Sequence, residues 1–121
     1  MKPTGIMIQV KRIYEPPAKS DGARFLADRL WPRGLKKESL KLDAWRREVA
    51  PSTALRKWFH HEPAGWQEFL RRYRAELDRH PEAWQPILEA ARKGKVTLLF
   101  SSRNAERNNV TALKAYLDER L

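Results

Sequence analysis

"ARFLADRL", residues 23–30, decides how the chain is read. Phe25, Leu26 and Ala27 are apolar without a break, so the stretch lacks the alternation of a strand with one wet face. A strand covered on both faces belongs to a sheet whose neighbours return by crossover connections, and crossovers make strands parallel. Upstream, "IMIQVKRI" (6–13) sets Ile6, Ile8 and Val10 against Met7, Gln9 and Lys11, the period-two pattern of a half-buried first strand. "YEPPAKSDG" (14–22) separates the two, because Pro16 and Pro17 cannot continue a ladder and Asp21-Gly22 is turn chemistry.

Downstream, "KKESLKLDAWRREVAPS" (36–52) fits two patterns. Leu40, Leu42, Trp45 and Val49 suit a loose helix, whereas Trp45, Arg47 and Val49 suit a short strand, and Pro51 ends either one. Ser52 has the chemistry of an N-cap for "TALRKWF", where Leu55, Trp58 and Phe59 share one helical face. Pro63 suits a first helical turn, and Trp66, Phe69, Leu70, Tyr73 and Leu77 follow helical spacing, with Glu68, Arg71, Arg72 and Arg74 on the wet side. "PEAWQPILEAARKG" (81–94) predicts a helix started by Pro81, kinked or interrupted near Pro86 and stopped by Gly94. "KVTLLF" (95–100) predicts a buried strand, and "VTALKAYLDERL" (110–121) a last helix with Val110, Leu113, Leu117 and Leu121 inward.

Strand, long helical excursion, strand and helix is the grammar of an α/β domain. The expectation is one domain, 1–121, with a small, mainly parallel sheet of three or four strands packed by helices in Rossmann-like layers. The 121 residues suffice for one core, and 41% hydrophobic with 10% aromatic content is that of a folded chain. Having no cysteine rules out disulfides, thiolate catalysis and Cys-based zinc sites. Neither a signal-peptide core nor a membrane-length apolar run is present, so the expected setting is cytoplasmic, with no membrane partner. A net charge of +10 draws phosphate-rich partners at long range without naming one. The sequence assigns no oligomeric state.

In parallel sheets ligands sit outside the carboxyl ends of the strands. The segments leaving those ends are "DRLWPRG", "APS" and "SSRNAERNN". Side by side, they bring Arg29, Arg33 and Arg103 toward Ser101, Ser102 and the free amides of the last helix, a cradle for a phosphate or carboxylate. Each residue also has a structural use. Arg29 and Arg33 either bind a ligand or pair with Asp28 or Glu48, and Trp31 is either a stacking platform or part of the core. Asp28 orients an arginine or acts as an acid/base, and Asn104 is read as the cap of the last helix. Asn108 and Asn109, placed one turn into that helix, point back to the strand ends or face water. Ser52 lacks the base and orienter of a catalytic serine. His60, His61 and His80 lack metal-ligand spacing, so no metal and no cofactor is assigned.

Together, "RIYEPPAKSDGARFLADRLWPRGLKKE", "APSTALRKWFHHEP", "FLRRYRAEL" and "KVTLLFSSRNAERNN" resemble the YeaO-like branch of domain of unknown function 488 over nearly the whole chain. The resemblance implies a small α/β domain in a bacterial or archaeal cytoplasm, and it favours a short strand at 44–49 with "APS" near the same rim. It brings no established activity. Where the broader group often has a cysteine on the last strand and a Cys-His-Arg string at the following helix, this chain has Phe100 and Asn108-Asn109-Val110, while Asp28, Arg33 and Arg103 stand at matching places.

The leading functional reading is binding of an anionic, phosphate-bearing small molecule or nucleotide at the strand-end rim, through Arg29, Trp31, Arg33, Ser101, Ser102, Arg103 and Asn108. Two alternatives stand beside it. One is hydrolase or phosphoryl-transfer chemistry at the same rim with Asp28 as acid/base. The other is a nucleic-acid-binding or partner-docking module using Lys57, Arg71, Arg72, Arg74, Arg79 and "ARKGK", with Trp58 and Trp66 nearby.

Overall fold

A computed structural model describes residues 7–62 and 64–121. Four strands, β1 (Ile8–Arg12), β2 (Ala23–Leu26), β3 (Ala44–Trp45) and β4 (Val96–Phe100), form one sheet in the order β1-β4-β2-β3. Every pairing is parallel, with Ile8 opposite Val96, Ala23 opposite Val96, and Phe25 opposite Ala44 at the start of each ladder. All five residues of β4 are buried, as its interior place between β1 and β2 requires.

The described residues also form five α-helices: α1 (Lys37–Leu40), α2 (Thr53–His61), α3 (Trp66–Arg79), α4 (Pro81–Lys93) and α5 (Asn109–Asp118). The period of two in the strands divides their side chains between two clusters. Ile8, Phe25, Val96, Leu98 and Phe100 meet Leu55, Phe69, Tyr73, Leu77, Ile87, Leu113 and Leu117 from α2 to α5. On the opposite face Leu26, Leu99 and Ile13 meet Leu40 of α1, with Trp31, Leu35, Leu42 and Trp45 at the margin. One face is therefore covered by four helices and the other by coil and one short helix.

Several boundaries differ from the sequence reading. The second strand stops at Leu26 rather than residue 30, because its partner β3 offers only two paired residues and the chain then turns at Asp28. The first strand was expected over 6–13; Ile6 lies outside the described residues, and pairing runs on past β1 through the Ile13 amide to the Phe100 carbonyl at 2.7 Å. The stretch 36–52 is neither one helix nor one strand: it holds α1, then a left-handed Lys41 with φ of 49°, then β3, then a 3-10 turn over Arg47–Val49. The reading of Pro63 also falls outside the described residues.

Helix α4 is not interrupted at Pro86. A proline inside a helix costs about 3 kcal/mol through a lost hydrogen bond and a clash. Ile87 and Leu88 alone, both buried, each contribute roughly 1.5–3 kcal/mol, and Ala83, Trp84 and Ala91 share their face. Burial wins. The helix ends at Gly94 as expected, but in extended backbone with φ of 177°.

Residues 13–22, which return the chain from β1 to β2, close over a buried ionic cluster that the sequence reading treated only as a turn. Asp21 is 1% exposed and Arg24 4% exposed. The Asp21 carboxylate accepts from Gln9 Nε2 and Lys11 Nζ at 3.1 Å, from the Ala18 amide at 3.0 Å and from Arg24. Arg24 also donates from Nε and Nη2 to the Leu40 carbonyl at 3.1 and 2.8 Å. Burial pushes the Asp21 carboxyl up, but the Ala18 amide, Lys11 and Arg24 together outweigh it and hold the group below its ordinary 3.8.

Candidate functional site

The carboxyl ends of β2 and β4 open into a cleft of about 450 Å³. The turn after β2 supplies Asp28, Arg29, Leu30, Trp31, Pro32 and Arg33, and the turn after β4 supplies Ser101 and Ser102. Arg107, Asn108 and Asn109 enter from the start of α5, Arg56 and Phe59 from α2, and Tyr14, Ala50, Pro51 and Phe69 complete the wall. The three segments expected to leave the strand ends do share one rim.

Asp28 is the hinge of that rim. Its Oδ2 accepts both the Ser101 amide and the Ser101 hydroxyl, each at 2.8 Å, and its Oδ1 receives Asn109 Nδ2 at 3.4 Å. The Asp28 carbonyl accepts from Trp45 Nε1 at 2.7 Å. It thus joins the end of β2 to the end of β4 and to α5, and what it orients is a serine and an asparagine rather than an arginine.

Arg29 forms neither ion pair considered from the sequence. Its guanidinium donates to the Ala50 carbonyl at 3.1 Å and the Pro51 carbonyl at 3.2 Å, clamping the segment before α2 against the rim. Glu48 instead lies 3.8 Å from Arg46. Trp31 serves the core and the wall together: Nε1 donates to the Leu35 carbonyl at 2.8 Å, and the ring meets Trp45 edge-on at 5.3 Å. Arg33 is exposed and makes no ion pair among the described residues, as is also true of Arg56 and Arg107.

Two expectations at the start of α5 need correction. Asn108, not Asn104, is the N-cap: its Oδ1 accepts from the Val110 and Thr111 amides at 2.9 Å, so amides expected to be free for a ligand are already taken. Asn108 is therefore the cap itself rather than a residue one turn in, and Asn109, the first helical residue, is the one that reaches back, to the Ala27 carbonyl at 3.2 Å. Asn104 accepts from the Glu106 and Arg107 amides at 3.0 and 2.9 Å, which folds the loop on itself. In consequence Arg107 borders the cleft, while Arg103 is exposed and absent from its lining. Reading along the string, Arg103 lies nearest to β4 and was the natural choice. Only the asparagine turn brings forward the arginine four residues later.

The sequence reading also missed Tyr14, Arg56, Phe59 and Phe69 as parts of this wall. Tyr14 comes from the break after β1, read only as a strand terminator. Arg56 sits one residue from Leu55 on a helix read for its apolar face. Behind Arg29 lies a second cavity of about 430 Å³ that includes Ser52, Tyr73 and Glu76. Ser52 donates its amide and hydroxyl to Glu76 at 2.8 and 2.6 Å and accepts the Leu55 amide at 3.1 Å, which is an N-cap held in place. The Tyr73 hydroxyl donates to the Val49 carbonyl at 2.6 Å, and burial, with Glu76 and Asp28 adding to it, pushes its pKa well above the ordinary value of 10.

Among the described residues no cluster of three His, Cys, Asp or Glu side chains is close enough to hold a metal ion, and no helix is long and apolar enough to cross a membrane.

The family model described as the "Inactive DUF488-N3 subclade" matches residues 7–121. Uncharacterized protein YeaO of Escherichia coli (strain K12) is 46% identical over 110 residues, spanning 91% of this chain and 96% of that protein. Uncharacterized protein Rv3073c of Mycobacterium tuberculosis (strain ATCC 25618 / H37Rv) and uncharacterized protein Mb3100c of Mycobacterium bovis are each 34% identical over 113 residues, spanning 93% of this chain and 95% of theirs. No solved structure matches the chain. With a family match over nearly its whole length and a relative of this identity, the chain belongs to the inactive DUF488-N3 subclade, in a YeaO-like branch of the domain of unknown function 488.

Proposed function

We propose that this protein binds an anionic, phosphate-bearing small molecule in the strand-end cleft and holds it without transforming it. The observation that carries the reading is that Arg33, Arg56 and Arg107 line one cleft and none has an acidic partner among the described residues. The one carboxylate in the lining, Asp28, is anchored on Ser101 and Asn109. Guanidiniums left over in a concave, partly apolar site suit a bidentate anion such as a phosphate. The volume lies in the range of small-molecule sites.

Binding is favoured over chemistry for two reasons. Asp28 receives the Ser101 amide as well as its hydroxyl, an arrangement that fixes a turn rather than frees a base. The subclade's description as inactive supports the same choice. The nucleic-acid alternative draws on α3, but there Arg71 and Arg72 both bond Glu68, and Arg74 bonds Glu119. Those hydrogen bonds, Arg71 first, pull the Glu68 carboxyl down to about 2, so it stays charged and offsets the helix's cations.

Thermal unfolding in rising inorganic phosphate tests the reading. The expected result is a rise in Tm that continues with the logarithm of phosphate concentration and resists moderate salt, since one site at 100 times Kd adds about 2.7 kcal/mol. The Arg33→Ala, Arg107→Ala double variant should keep its ligand-free Tm and lose at least tenfold in affinity. Equal stabilisation of variant and parent would refute the site, and steep loss of binding with salt would favour a polyanion on the helices.

A further inference from the structure

Resting on the phosphate-binding reading, we infer that the cleft is built for a nucleoside monophosphate, with a planar ring seated beside the cationic wall, rather than for a bare phosphate or a sugar phosphate. Three observations carry this. Among the described residues the two large hydrophobic side chains left exposed are Tyr14 at 47% and Leu30 at 61%, and both line this one cleft. Single exposed apolar residues are ordinary, but two on the wall of the same cavity mark a surface that a ligand covers.

The Tyr14 ring is also held in position. Arg12 lies over it at 5.2 Å, and the Tyr14 hydroxyl donates to the Arg33 carbonyl at 3.4 Å. Arg12 in turn donates to the Ser102 carbonyl at 3.2 Å, so ring, β4 exit and the Arg33 turn form one unit. A pre-positioned aromatic ring next to an unpaired guanidinium matches a molecule that presents a flat ring and a phosphate together.

The third observation concerns hydroxyls. Asp28 Oδ2 is filled by Ser101, whereas Oδ1 takes only the long 3.4 Å contact from Asn109 among the described residues. A carboxylate oxygen with acceptor capacity to spare, in a cleft whose other charged side chains are arginines, suits a ligand that brings donors of its own, as a ribose does. The cavity, about 450 Å³, is also far larger than a bare phosphate fills.

The test is a calorimetric comparison of inorganic phosphate, ribose 5-phosphate and adenosine 5′-monophosphate on the full chain. The nucleotide should bind at least tenfold more tightly than ribose 5-phosphate, and ribose 5-phosphate more tightly than phosphate. The Tyr14→Ala, Leu30→Ala double variant should lose the nucleotide's advantage over ribose 5-phosphate, a ratio that holds even where loss of the Tyr14 hydroxyl shifts the Arg33 turn and weakens both. Equal affinity for the nucleotide and ribose 5-phosphate, or an advantage that survives the double variant, overturns the inference while leaving phosphate binding intact. Absence of binding by all three overturns both.

Discussion

Asp28 and Gly22 show how much a single position can carry. Gly22 adopts φ of 66° and ψ of −140°, and a Cβ placed there would lie 2.1 Å from the Lys95 carbonyl oxygen. The backbone term alone is worth about 1–3 kcal/mol, and the contact falls on main chain that cannot step aside. Gly22→Ala should therefore destabilise by about 3 kcal/mol or more, read as a lower urea midpoint with unchanged slope. "DG" announced a turn, and that much was legible. The Asp21 cluster was not, because Arg24, three residues away, is only one of its partners, and Gln9, Lys11 and Thr97 reach Asp21 only when β1, β4 and β2 pair. The same holds at the rim: "DRLWPRG" stood out by composition, but that Asp28 would hold Ser101 and Arg29 would hold Pro51 depended on strand order.

At the scale of elements, the reading succeeded where pattern and burial agree. β4 is buried along its whole apolar run, α3 buries Phe69, Tyr73 and Leu77 with Trp66 and Leu70 partly covered, and α5 buries Val110, Leu113 and Leu117 as the spacing predicts, with Ala112 and Tyr116 buried beside them and Leu121 partly buried at the edge of the cluster. It failed at 36–52, where three short elements follow within a span too brief for any period to declare itself. The cap of α5 was misplaced by four residues for a related reason: the stretch offers asparagines at 104, 108 and 109, and only the fold selects Asn108. Asn108→Ala should cost about 1–2 kcal/mol, since it leaves the Val110 and Thr111 amides without their acceptor. Because the same cap holds the loop through Asn108 Nδ2 and the Asn104 carbonyl at 2.8 Å, phosphate affinity should fall as well, measured by titration beside the unfolding curve.

For the whole molecule, the two faces of the sheet are secured by different physics. The helical face is dry and apolar, and its contribution does not vary with pH. On the other face the Asp21 carboxylate is held below its ordinary pKa, so its contribution is fully present above the unfolded value and is lost as pH falls through the folded one. Unfolding midpoints should accordingly be flat near neutrality and drop below about pH 4. Asp21→Asn should lower stability at pH 7 by about 3–5 kcal/mol, as removal of one partner from a buried ion pair does, and the gap to the parent should narrow at pH 3. A constant gap at both values would show that the charge of Asp21 is not what matters.

Taken by itself, the sequence determined what depends on neighbours in the chain: the strands by their apolar runs, the long helices by their spacing, the turns by proline and glycine, and a basic surface by count. The tertiary structure alone decided what depends on distance across it: the order β1-β4-β2-β3, the burial of Asp21 against Lys11, Gln9 and Thr97, and which arginines face the cleft. The physical reason is that local propensity acts over a few residues, whereas an ion pair or a cleft wall is assembled from segments that only a shared core brings together.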